Sequence, residues 1–207
     1  MTPPDTVQQM VSATEIKAKE LKEAGDWSRA AGCWASLGHH LNDIQLRNSS
    51  LFCFQQSLLL KVDPQVVYSF SQCYSVLGNR HAQMMVLEYY ASLNTRGFNH
   101  VQALYQLGRY SLALKACGYC DAEPAVSMYI GLCCVKLGDL KQAIPSFNEA
   151  IEGYNPRDVN DEWSPTILNS AVYKELGLIS LEAGDMSGYS EFMAKAHDIN
   201  PCIFKLI

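Results

Sequence analysis

Four cysteines have a spacing that could hold a metal: Cys117 and Cys120 form a Cys-x2-Cys pair, and Cys133 and Cys134 follow. Cys-x2-Cys is a normal half-site for zinc, and thiolates on neighbouring helices could surround the ion. Adjacent residues on a helix point about 100° apart, however, so Cys133 and Cys134 diverge. Cysteine also packs as a small hydrophobe. Core packing is therefore the preferred reading, with a zinc-binding structural protein as an alternative. His39 and His40 diverge in the same way, and His81, His100 and His197 stand alone. The carboxylates Asp158, Asp161 and Glu162 lack the central glycine and oxygen spacing of a calcium loop. No Gly-rich phosphate loop, His-Glu-x-x-His or Gly-x-Ser-x-Gly occurs. The expectation is a chain with no catalytic residues and no cofactor.

Composition narrows the class. The 207 residues are 48% hydrophobic, 10% aromatic and 18% charged, which suits a globular chain with a substantial core. The net charge of −5 argues against a general nucleic-acid surface. No apolar run approaches the roughly 20 residues that span a bilayer. The N-terminal stretch lacks a signal's basic flank and apolar core. Cysteine usage without a secreted framework agrees, so the expected compartment is the cytoplasm, with the nucleus as the other option.

What must position these residues is a set of short elbows. Gly25, Gly78, Gly108, Gly138 and Gly184 each follow an apolar helix end and precede a second amphipathic run. Glycine supplies the left-handed residue that ends one helix, and the Asp of Gly-Asp can cap the next. The spacings between them are 53, 30, 30 and 46 residues. A helix pair takes about 30 to 35 residues, so the short intervals are single repeats. The long interval after Gly138 includes the breaker-rich stretch 153–165. Trp34, Leu37 and Gly38 read as a further first helix, but no elbow glycine follows them. Asn48-Ser49-Ser50 reads as a cap opening a helix over 51–62. Ile144, Phe147 and Ile151, like Met84, Leu87 and Ala91, form single apolar stripes, and β-type alternation is nearly absent. The fold class is all-α.

These residues resemble the tetratricopeptide repeat family. The clearest copy runs from Met128 to Pro156, with Gly131 in the first helix and Ala143, Phe147 and Ala150 on the second. The last copy matches at Leu176-Gly177, Gly184-Asp185, Ala196 and Pro201. Cys117 and Cys120 fall where Phe147 and Ala150 stand one repeat later. The resemblance implies a right-handed superhelix of stacked hairpins over 1–207 as a single array. Irregular helices would occupy 5–62, repeats about 64–95, 97–123, 124–156 and 165–201, and an apolar tail 202–207.

The resemblance also implies a protein-interaction adaptor or scaffold subunit of a larger complex, binding along a concave groove lined by first helices. Polar and aromatic residues expected there are Tyr68, Gln72, Asn99, Gln102 and Tyr105, since Asn and Gln pair with peptide amides and Tyr adds apolar area. Family members that clamp acidic chaperone tails use Lys and Arg on successive first helices, and helices 64–77 and 97–107 carry none. Residues 64–120 have net charge +3 and residues 121–207 net −7. A basic partner surface would be steered to the last third. The apolar ending Ile203-Phe204-Lys205-Leu206-Ile207 needs cover. Phe204 and Ile207 are thus candidates for a sticky C-terminal end that takes a partner or a second copy. A helical-repeat RNA binder is the other alternative, with the −7 third against it.

Overall fold

A computed structural model of the chain describes residues 4–93, 95–153 and 165–200. They form two compact units, Met1–Thr95 and Arg96–Ile207. The first contains α1 (Pro4–Glu23), α2 (Trp27–Asp43), α3 (Arg47–Leu60), α4 (Pro64–Val76) and α5 (Arg80–Ser92). The second contains α6 (Phe98–Gln106), α7 (Tyr110–Cys117), α8 (Pro124–Leu137), α9 (Leu140–Glu152), α10 (Pro165–Glu182) and α11 (Met186–Ile199). There are no strands among the described residues. The tail with Phe204 and Ile207, and the carboxylates Asp158, Asp161 and Glu162, lie outside the described residues.

The elbows have one geometry. Gly25, Gly78, Gly108, Gly138 and Gly184 all have φ between 71° and 80°. At each, the next residue's N–H donates back to the carbonyl five positions earlier, as in Asp139 to Cys134 at 2.9 Å. That bond and the left-handed residue together make a Schellman ending, which satisfies carbonyls the helix leaves open. The caps follow. Asp26, Asn79, Asp139 and Asp185 accept from the N–H of Arg29, Ala82, Gln142 and Gly188. Each supplies a first-turn acceptor.

Where the glycine pattern shows a gap, the elbow is nevertheless present. Gln45 has φ 64°, and Leu46 N–H donates to Leu41 O at 2.8 Å, the same bond as elsewhere. So α2 turns tightly into α3, and the missing elbow is a glutamine in a glycine position. The expected cap at Asn48-Ser49-Ser50 is also corrected. α3 begins at Arg47 with Leu46 as an N-cap that makes no side-chain bond. Ser50 is instead buried inside the helix, its hydroxyl donating to Gly38 O at 2.8 Å. Ser57 does the same to Ala31 O at 3.0 Å, so two hydroxyls tie α3 to the backbone of α2. A side chain in the left-handed region costs roughly 1 kcal/mol relative to glycine. Gln45 is exposed, so its side chain has little packing to lose. Gln45→Gly is therefore expected to raise the melting temperature by a few degrees. An equal or lower value in a thermal melt would show that the turn carries no strain.

A second regularity lies seven residues before each elbow from Gln45 onward, and sixteen after that. It pairs Gly38 with Phe54, Ser71 with Leu87, Val101 with Cys117, Gly131 with Phe147 and Gly177 with Met193. Every residue in the first four pairs is buried. A Cβ on Gly38 would meet the Phe54 ring at 2.7 Å, one on Gly131 the Phe147 ring at 2.5 Å, and one on Gly177 the Met193 sulfur at 3.0 Å. As the first residue grows from Gly through Ser to Val, its partner shrinks from Phe through Leu to Cys. Close packing requires that exchange of volume within each hairpin. The stripe on α9 is Ala143, Phe147 and Ala150, and Ile144 lies outside it at 40% exposure.

Candidate functional site

The volume rule accounts for the cysteines. Cys117 is the small partner of Val101, Cys134 lies in the core that also holds Phe147 and Val172, and Cys133 is closed off from solvent. Cys120 is half-buried and donates to Ala116 O at 3.6 Å. Burial dominates at all four thiols. It pushes Cys117 to about 11 and Cys133 to about 12, with neighbouring Cys120 and Cys117 respectively adding to the rise. Cys134 and Cys120 are raised as well. Burial thus disfavours the thiolate at all four positions, as expected of cysteines that pack as small hydrophobes. Among the described residues no three His, Cys, Asp or Glu side chains are grouped to hold a metal.

The residues expected to meet a partner divide between the units. In the first, Tyr68 is 9% exposed, with its ring 5.4 Å from that of Tyr90 on α5. Gln72 is half-buried, and its amide donates weakly to Ser71 Oγ at 3.4 Å. In the second, Asn99 and Tyr105 are half-buried and Gln102 is 7% exposed. Gln102 hydrogen-bonds the Tyr129 hydroxyl of α8. Tyr105 packs edge-on against Tyr129 at 5.4 Å and tilted against Tyr110 at 5.3 Å. Burial, then the nearby charge of Glu175, pushes its hydroxyl up to about 12. These aromatic groups are thus fixed by neighbours within their unit, which leaves Gln72, Asn99 and Tyr105 more accessible than Tyr68 and Gln102.

Alignment by the paired positions adds residues that composition did not bring forward. Gln102, Leu132 and Leu178 each follow Val101, Gly131 or Gly177 by one position. Tyr105, Val135 and Leu181 follow by four. The same register face of α6, α8 and α10 therefore changes from polar to apolar, and Leu178 and Leu181 are 37% and 42% exposed. Glu175 sits two positions before Gly177, matching Tyr129 before Gly131. It is half-buried, and desolvation raises its carboxyl, with Lys136 and Lys174 acting the other way and Glu182 adding to the rise. Glu175 was invisible as a candidate because a glutamate on an exposed-looking helix reads as a solvated charge. Only the register of α10 identifies it.

No helix among the described residues is long and apolar enough to cross a membrane. No protein-family model matches the sequence, and no curated protein matches it. Solved structures are similar in fold. YrrB, described as a TPR protein with an unusual peptide-binding site, is 16% identical with a TM-score of 0.60 over 90% of this chain and 93% of its own. TTC0263, a thermophilic TPR protein of Thermus thermophilus, is 17% identical with a TM-score of 0.58, covering 86% and 95%. Residues 41 to the end of MamA from Desulfovibrio magneticus RS-1 are 15% identical with a TM-score of 0.58, covering 84% and 96%. Glycine-turned antiparallel hairpins, paired residues traded in volume, and these likenesses agree: the chain has the tetratricopeptide repeat fold.

Proposed function

We propose that the protein is a non-catalytic adaptor or scaffold subunit that docks a peptide or helix of a partner protein on its first helices. Three surfaces are assigned to that role: Tyr68 and Gln72 in the first unit, Asn99, Gln102 and Tyr105 in the second, and the C-terminal end with Phe204 and Ile207. The observation that carries the reading is the exposure of Leu178 and Leu181 in register with Gln102 and Tyr105. Two leucines one helical turn apart, both partly open, offer a docked segment apolar area at the register where α6 presents polar groups. The fold supports it, since stacked helical hairpins are an interaction scaffold. YrrB, a peptide-binding protein by description, supplies a parallel for the ligand class.

Glu175 gives the surface its polarity. A half-buried carboxylate that burial disfavours gains most from a cation brought beside it. The preferred ligand is therefore an apolar segment with a Lys or Arg, in keeping with the −7 charge of residues 121–207. Because its folded carboxyl is raised, Glu175 takes up a proton more readily folded than unfolded. Its ionisation thus costs stability as pH rises from the ordinary carboxylate value of 4.5 through the raised folded one, and the cost is constant above that. Glu175→Gln is expected to raise the melting temperature at pH 7 and to change nothing well below pH 4.5, where both states are protonated. Affinity purification compares wild type with Tyr105→Ala, Leu181→Ala and Glu175→Gln. Loss of one specific co-purifying protein in all three, with folding intact, supports the face. Retention in all three sinks it, and loss only on deleting 202–207 moves the site to the end.

A further inference from the structure

Of the second helices described, α3 alone carries no charge on its outer face. Counted from the paired residue of each hairpin, the outer positions lie two before it and one, two and five after it. On α9 they include Glu149 and Glu152, and on α11 Glu191, Lys195 and Asp198, all exposed. Charge of this kind is the ordinary outside of a surface helix. On α3 the same positions hold Phe52, Gln55, Gln56 and Leu59, and residues 48–60 contain no Asp, Glu, Lys, Arg or His. Leu59 is 73% exposed and Phe52 46%, with the Phe52 ring meeting Trp34 edge-on at 5.9 Å.

The other sides of α3 are taken within its own unit. Cys53 and Leu60 join the core that holds Ala18, Trp34 and Leu41, while Leu51 and Leu58 pack around Phe54, Val66 and Cys73. What stays open is one stripe, apolar at both ends with two amides between. α5, which packs on α4 as α3 does, adds Met85 and Tyr89 at matching positions, 63% and 47% exposed. Covering that area is favoured in proportion to the apolar surface removed from water.

The absence of charge selects the occupant. Charged groups laid on this stripe would lose hydration and meet no counter-charge. An anionic lipid surface would find no Lys or Arg between residues 48 and 60. A second copy of the stripe meets neither cost. Run antiparallel, Phe52 faces Leu59 of the other copy and Gln55 faces Gln56. Both pairs have the same midpoint, between Gln55 and Gln56, so a single two-fold axis produces both. The facing amides supply donor and acceptor to one another. We infer that α3 is the contact between two copies of the chain, lying antiparallel on its twin across a two-fold axis. The surface is distinct from the three assigned above, and the inference does not depend on that reading.

Sedimentation velocity over a roughly hundredfold concentration range is expected to show a reversible monomer–dimer equilibrium. Leu59→Glu, at a position open to solvent in the single copy, moves the midpoint to roughly tenfold higher concentration or more and leaves the melt of the monomer unchanged. Ile144→Glu, at an exposed apolar position of α9, leaves the midpoint where it was. Gln55→Lys and Gln55→Glu each weaken the dimer, because like charges meet across the axis. Mixing the two variants restores it, and added salt weakens the mixed dimer. A monomer throughout the range, or a dimer indifferent to Leu59→Glu, overturns the inference. So does a mixture of the Gln55 variants that stays monomeric. A dimer lost only on deleting 202–207 moves the contact to the C-terminal end and overturns it too. Binding of the monomer to phosphatidylcholine–phosphatidylserine vesicles, abolished by Leu59→Glu, makes a lipid surface the occupant and has the same consequence.

Discussion

Phe147→Ala is expected to destabilise the second unit by about 3–5 kcal/mol. The Phe147 ring is 0% exposed and packs in one cluster with Met128, Ala143, Ala150 and Val172. It rests directly against Gly131, which has no side chain to swing into the space left behind. Ala143 and Ala150, its neighbours on the same stripe, are equally short. Gly131, Ala143 and Ala150 offer no atoms to refill the cavity, so the cost belongs at the high end for such truncations. Thermal or urea unfolding followed by helical circular dichroism measures it. A midpoint within a degree of wild type would mean that the ring is not the keystone of this hairpin.

Gly131→Val tests the same contact from the other side. The new Cβ would stand 2.5 Å from the Phe147 ring, and buried neighbours leave the ring little room. Overpacking of this kind costs about 1–3 kcal/mol. The informative result is the double variant. Val101 with Cys117 shows that a valine is accommodated at this register when its partner is cysteine, so Gly131→Val with Phe147→Cys should regain part of the loss. The two changes touch, and a coupling of about 1 kcal/mol or more is expected from the cycle. Strict additivity would refute the volume exchange. Gly177→Ala is the comparison: its neighbour is the flexible end of Met193, and a helical alanine gains up to about 1 kcal/mol over glycine. It should be neutral or stabilising.

The hairpins could be read from the chain because their punctuation is local. A glycine at the left-handed position and an Asx residue just after it act within one turn, and Gly138-Asp139 and Gly184-Asp185 do so whatever surrounds them. Gln45 escaped that reading for the converse reason. Tertiary packing of α2 on α3, with Ser50 and Ser57 bonded to its backbone, holds a glutamine where local preference asks for glycine. The cysteines were half legible. Aligning Cys117 with Phe147 marks a packing position, but its small size follows from Val101, sixteen residues away and on another helix.

Partner residues were the least legible part. A tyrosine or glutamine on a first helix looks the same in sequence whether its tip meets solvent or another helix. Gln102 is held by Tyr129, and Tyr68 is covered. Leu178, Leu181 and Glu175 gain meaning only from the register of α10 against its neighbours. By itself the sequence determined the helical hairpins and their turns, since those depend on backbone conformations that a few adjacent residues select. The tertiary structure alone decided which faces are covered and which stay open. Burial is a property of what packs on a residue, and that is set by helices far away in the chain.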